Sequence, residues 1–181
     1  MKRMLKRLVL PGLLGVYAAT AWSAGAIPAQ TLDSGVIRHA IPDSNFPIAA
    51  AVEVPASASL VYLSGTVPPV IDVSQAKDSV KAYGVDTEAQ TSGVLSSIQK
   101  NLQRLGLTMG DVVKMQVYLV GDPANNGQMD FAGFMRGYTQ FFGTQEQPNL
   151  PVRSVFQVAG LANPGWLVEI EVVAVRKSLH N

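Results

Sequence analysis

The chain has 181 residues, with 14 Lys+Arg against 13 Asp+Glu, and is 48% hydrophobic and 15% charged. It is long enough to bury a sizeable core, and the balance excludes a largely disordered chain. The absence of cysteine excludes disulfide frameworks, thiolate nucleophiles, Cys-ligated zinc and a lipid-modified N-terminal Cys, and the formal charge of +1 argues against a nucleic-acid ligand.

That charge is unevenly spread. Lys2, Arg3, Lys6 and Arg7 open the chain, an apolar run follows from Leu8 to about Trp22, and then come Ser23, Ala24, Gly25 and Ala26. Basic start, apolar run and small-x-small site are the layout of a secretory signal peptide. Ala24-Gly25-Ala26 places the cut before Ile27, and Ala21-Trp22-Ser23 is a second fit. The run holds Pro11 and Gly12 and falls short of the ~20 residues that a membrane span needs. Residues 1–26 are therefore expected to be a cleaved signal peptide, which makes the protein periplasmic or secreted and free of the membrane once processed. Their removal takes away four of the 14 basic side chains and none of the 13 acidic ones, leaving 155 residues at −3. A phosphate-backbone ligand, which needs clustered Lys and Arg, is disfavoured further.

Residues 27–34 read as a flexible leader, and 35–181 as one domain. Gly35 to Ile41 is a short strand, Asp43 to Pro47 a turn, and Ala49 to Val54 a second strand. Pro55 to Ser59 separates it from a strand rich in β-formers, Leu60 to Gly65, and the short connection suggests a hairpin. Residues 66–85 read as a loop with one helical turn. Thr87 with Gln90 makes a capping box, and Val94, Leu95, Ile98, Leu102 and Leu105 form one helical face before Gly106 as C-terminal cap. Asp111 to Val120 alternates as a strand. Asp130 caps a second helix, with Phe131, Phe134, Met135, Tyr138, Phe141 and Phe142 as its core stripe and Gly143 at its end. Arg153 to Ala159 and Leu167 to Val175 are the last strands. The order β-β-β-α-β-α-β-β is that of an α+β domain with two helices on one mainly antiparallel sheet.

Most chemical signals are absent. There is no phosphate-binding Gly-rich loop with Lys and no His pair at metal spacing, so no metal site is expected. Two segments remain. In Asn149-Leu150-Pro151-Val152-Arg153-Ser154, an arginine follows a proline-fixed loop at a strand start, where its planar fork suits a carboxylate; a solvated arginine is the plainer reading. In Leu167-Val168-Glu169-Ile170-Glu171-Val172, alternation puts Glu169 and Glu171 on one face and Val168, Ile170 and Val172 on the other. The carboxylates belong either to a solvated sheet face or to a subunit interface, where burial suits one of them to acid/base work.

Leu63-Ser64-Gly65, Gln90 before the long helix, Asp111-Val112-Val113-Lys114, Phe131 with Tyr138 and Phe141-Phe142-Gly143, Pro151-Val152-Arg153-Ser154 and Val168-Glu169-Ile170-Glu171 stand in one order and spacing. In these the chain closely resembles the Rid family, the reactive intermediate deaminases, also called the YjgF family, over roughly residues 36 to 177. The resemblance implies a chorismate-mutase-like (YjgF-type) fold, a six-stranded, mainly antiparallel sheet with two helices on one face. It also implies a homotrimer with sheets inward and clefts at its three interfaces. Members hydrolyse enamines and imines such as 2-aminoacrylate to 2-keto acids and ammonia, without metal or organic cofactor. By position, Arg153 would pair with the substrate carboxylate, Glu169 would orient or activate water, and Ser64 and Gly65 would line the cleft.

Where members often carry Tyr, Asn and Cys, this sequence has Ile48, Met135 and Val155. The expected cleft keeps Arg and Glu, loses polar accessories and favours a different carboxylate or a bulkier side chain. The longer segment from Val70 to Val85 is expected to reshape its mouth. Three functions fit these residues: an exported imine/enamine deaminase, a periplasmic trimer that binds small carboxylates such as 2-keto acids without turnover, and a ribonuclease or other hydrolase, which the −3 charge disfavours.

Overall fold

The computed structural model describes residues 35–122 and 125–177. The expected signal peptide and leader lie outside the described residues. The strands are β1 (Ile37–Ala40), β2 (Ala49–Glu53), β3 (Ser59–Thr66), β4 (Val112–Val120), β5 (Val152–Val158) and β6 (Val168–Arg176), and the two α-helices are α1 (Thr87–Arg104) and α2 (Phe131–Tyr138). Hydrogen bonding divides the strands into a two-stranded β1-β2 ribbon and a four-stranded sheet ordered β3-β6-β4-β5. The β2 edge meets β5 where Ala49 N–H donates to the Pro151 carbonyl at 3.0 Å. Pairing is antiparallel except between β4 and β5, and that parallel pair needs the crossover that α2 supplies.

Both helices pack on one face. Val94, Leu95, Ile98 and Leu102 of α1 and Phe134 and Tyr138 of α2 share a buried core with Met115, Val117 and Leu119 of β4 and Val168, Ile170 and Val172 of β6. Alternation over Met115–Val120 of β4 and Val168–Val173 of β6 sends one residue set of each strand into that core. The opposite face carries Gln116, Tyr118, Glu169 and Glu171, and large apolar side chains there stay exposed: Tyr62 at 73%, Phe156 at 48% and Leu60 at 44%.

Several expectations are corrected. Strands β2 and β3 do not form a hairpin: β2 pairs with β1 and β3 with β6. Proline at position 55 has no N–H to extend β2, and the turn that Ala58 N–H closes onto the Pro55 carbonyl leads the chain across to the long strand β6. The N-cap of α1 is Asp86, not Thr87, with the Asp86 carboxylate accepting from Ala89 N–H at 2.8 Å. Leu105 is the exposed C-cap residue rather than part of the buried stripe, and Gly106 takes φ +69° directly after it, where a side chain would be strained. Helix α2 stops at Tyr138; Phe141 and Phe142 lie in the following turns, with Phe142 stacked on Tyr138 at 5.0 Å between ring centres.

Gln90 has a different task from the expected capping one. It is fully buried, donates to the Gly165 carbonyl at 2.8 Å and accepts from Leu167 N–H at 2.7 Å, tying α1 to the loop before β6. Gln90→Leu leaves both backbone groups buried and unpaired, so urea unfolding should show a loss of about 2–4 kcal/mol; an unchanged midpoint would contradict this role.

Candidate functional site

Arg153 sits at the second position of β5, opposite Met115 of β4. Met115 is fully buried, so Arg153 points to the helix side of the sheet. The guanidinium lies over the rings of Tyr138 at 4.2 Å, Phe134 at 5.0 Å and Phe46 at 5.6 Å. Its Nη2 donates to the Met135 thioether at 3.2 Å, and Nη1 is buried with no hydrogen-bond partner. Among the described residues it has no ion pair. Aromatic faces stabilise a cation but do not satisfy its N–H groups, and sulfur is a weak acceptor. Burial lowers the Arg153 pKa, an effect that Tyr138 opposes; an arginine still remains charged.

A second half-buried arginine shows what satisfaction looks like. Arg38 donates to the carbonyls of Leu150 at 3.1 Å, Gly110 at 3.0 Å and Val112 at 3.1 Å, a structural clamp between β1 and the approaches to β4 and β5. Arg153 clamps nothing. It belongs to the wall of a cleft of about 330 Å³, which Ile48, Met115 and Ser154 also line. Val155, two residues on, shares its face.

Tyr138 orders this pocket. Its hydroxyl donates to the Pro47 carbonyl at 2.8 Å, which holds the loop bearing Phe46 and Ile48. Burial raises the phenol to about 12, with Arg153 pulling the other way. Below the ordinary value near 10 the phenol is neutral in both folded and unfolded chains. Between about 10 and about 12 only the unfolded chain loses the proton, so stability falls as pH rises through that window. Urea midpoints at pH 9 and pH 11.5 should drop more for the wild type than for Tyr138→Phe; equal drops would contradict the assignment.

Glu169 lies elsewhere. It pairs in register with Tyr118 of β4, three positions beyond Met115, an odd step that turns it to the open face. The β3–β6 register shifts between Leu63 and Thr66, where Ser64 and Gly65 sit. The Glu169 carboxylate rests on Gly65, and a Cβ added there would fall inside it. On the same face the Tyr118 hydroxyl approaches Glu171 Oε2 at 3.4 Å and its ring stacks with Phe156. Partial desolvation and the two carboxylates raise the Tyr118 pKa.

The expected site residues therefore fall into two groups. Arg153, Ile48, Met135 and Val155 gather on the helix side of β5, and Ser64, Gly65 and Glu169 gather at the β3–β6 end on the open face. One chain does not bring Arg153 and Glu169 together. The aromatic cage of Phe46, Phe134 and Tyr138 was missed as a site because its stripe also reads as core. The one available signal was an i, i+4 aromatic pair on the crossover helix beside an arginine strand start. Among the described residues no group of His, Asp or Glu could hold a metal ion, and no helix is long and apolar enough to cross a membrane.

The family described as endoribonuclease L-PSP matches residues 44–176. A RutC family protein of Haemophilus influenzae is 35% identical over 119 residues, which cover 66% of this chain and 81% of the relative. The 2-iminobutanoate/2-iminopropanoate deaminase of Salmonella typhimurium is 31% identical over 119 residues, with the same coverage. The structure of Escherichia coli TdcF with bound serine superposes with a TM-score of 0.51 at 28% identity, covering 72% of this chain and 94% of that one.

Proposed function

Because the chain belongs to the endoribonuclease L-PSP family, which includes the Rid or YjgF proteins, we propose that it is an exported, cofactor-independent deaminase of small 2-imino and enamino acids. The observation that carries this reading is Arg153, a caged cation whose buried Nη1 has no partner. A planar carboxylate supplies the acceptor that Nη1 lacks and offers Nη2 a stronger one than the Met135 sulfur.

Chemically, little else is required. A protonated imine is already electrophilic. Water adds to the carbon of the protonated imine as one of its protons passes to Glu169; Glu169 returns that proton to the carbinolamine nitrogen, and ammonia leaves as the hydroxyl gives its proton back to the Glu169 carboxylate, leaving a 2-keto acid. Orienting the water and the carboxylate supplies the acceleration. Since Arg153 and Glu169 point to opposite faces of one sheet, Glu169 must reach the imine from a neighbouring copy. The open face with exposed Tyr62, Phe156 and Leu60 is a surface for such a copy, and we take the assembly to be a homotrimer.

Of the activities that the family and its relatives are named for, the −3 charge of residues 27–181 speaks against RNA cleavage. The apolar residues at positions 48, 135 and 155 favour one second reading, a trimer that binds 2-keto acids without turnover. An amino-acid oxidase supplying imino acids separates the two: keto-acid formation should speed up on adding the protein, and no acceleration across several amino acids would defeat the deaminase reading. Gly65→Ala should push the Glu169 carboxylate aside and lower turnover roughly a hundredfold with folding retained. Full activity in that variant would remove Glu169 from the mechanism.

A further inference from the structure

Four side chains touch the Arg153 guanidinium: Phe46, Phe134, Met135 and Tyr138. Phe134 and Tyr138 are fully buried. Phe46 is 40% exposed and Met135 half-buried, so these two of the four border solvent beside the guanidinium.

The polar inventory at this entrance is short. The Tyr138 hydroxyl is committed to the Pro47 carbonyl. Met135 offers a thioether, a weak acceptor and no donor. In the adjoining cleft Ile48 and Met115 are apolar, and Val155 continues the face of Arg153. Lys114 and Ser154, the polar members of the cleft lining, have the strand parity of the open face. A carboxylate taking both Nη groups must displace the Met135 sulfur from Nη2. Methionine has three rotatable bonds and adapts to what replaces it, so the displaced side chain repacks on the ligand's tail. An apolar tail gains contact with Met135 and Phe46. A hydroxylated tail leaves water for the Met135 and Phe46 side chains, which offer it no strong hydrogen bond.

Resting on the reading that Arg153 receives a carboxylate, we propose that Met135 and Phe46 form an adaptable gate that selects 2-keto and 2-imino acids with branched-chain or aromatic side chains over short or hydroxylated ones. Met135 is the specificity-determining residue and Phe46 its counterpart across the entrance.

Calorimetry on the full mature protein tests this with pyruvate, hydroxypyruvate, 4-methyl-2-oxopentanoate and phenylpyruvate as probes. The two apolar acids should bind about tenfold to a hundredfold more tightly than pyruvate, and hydroxypyruvate should bind most weakly. Met135→Asn should shrink the ratio of 4-methyl-2-oxopentanoate to hydroxypyruvate about tenfold by moving both affinities. Phe46→Ala, in an exposed loop that tolerates truncation, should weaken the apolar acids alone. Equal binding of all four acids, or an unchanged ratio in both variants, would overturn the gate while leaving Arg153 as the carboxylate site. If no acid binds the wild type, the carboxylate reading itself fails and takes the gate with it.

Discussion

Arg153→Ala is expected to weaken 2-keto acid binding roughly a hundredfold or more, the loss of two charge-assisted hydrogen bonds, and to lower imine hydrolysis at least as much. Folding should survive, because the guanidinium pairs with no carbonyl or carboxylate of its own chain among the described residues. Arg153→Lys should recover little, since an ammonium cannot offer the planar fork. The contrast with Arg38 sharpens the test. Arg38→Ala removes donors from three backbone carbonyls, so it should lower the melting temperature. If Arg153→Ala unfolds the protein instead, or binds keto acids as the wild type does, the guanidinium is structural and the site lies elsewhere.

Glu169→Gln should separate binding from chemistry. The substitution keeps the volume that rests on Gly65 and removes the proton acceptor. Turnover is expected to fall by about 10²-fold to 10⁴-fold. Keto-acid affinity should stay close to the wild type, because the carboxylate of the ligand sits with Arg153 on the other sheet face. Glu171→Gln, one strand step pair away and near the Tyr118 hydroxyl, is the control that should leave turnover nearly unchanged. Equal losses in the two variants would mean that general charge on the open face, not one placed carboxylate, supports the reaction.

Much of this architecture is legible in the residue order. The alternation of Met115, Val117 and Leu119, and of Val168, Ile170 and Val172, states which face of each strand is buried, and the structure places those residues in the core; at the start of β4 the register shifts, and Val112 rather than Val113 joins the core cluster. The spacing of Val94, Leu95, Ile98 and Leu102 does the same for α1. Strand partners are harder to read, because pairing depends on contacts far apart in the chain. Proximity in sequence suggested β2 with β3, whereas β3 finds its partner more than a hundred residues later in β6. The cap of α1 was misplaced by one residue for a similar reason. Gln90 looks like a capping-box partner locally, but its amide is drawn inward by the unpaired backbone at Gly165 and Leu167.

For the site, residue types were legible and their grouping was not. Val152-Arg153-Ser154-Val155-Phe156 has no clean alternation, so the face of Arg153 is undecided until its register with Met115 is known. Glu169 was assignable to the far face from its own strand. Only the β4 register shows that the two residues stand on opposite sides of the sheet, and this separation is why the proposed mechanism draws on a second copy. The aromatic stripe on α2 was read as packing, which it is. Its rings also hold the cation.

In the proposed mechanism Arg153 of one copy works with Glu169 of another. The most direct measurement mixes equal amounts of the Arg153→Ala and Glu169→Gln proteins, unfolds them and refolds them together. Neither variant alone should hydrolyse imino acids at an appreciable rate. In a cyclic trimer with sites between neighbours, random assembly restores one intact Arg–Glu pairing at about a quarter of the sites, so about a quarter of the wild-type activity should return. Activity no higher than that of the separate variants would show that both residues must come from the same chain, and would contradict the account.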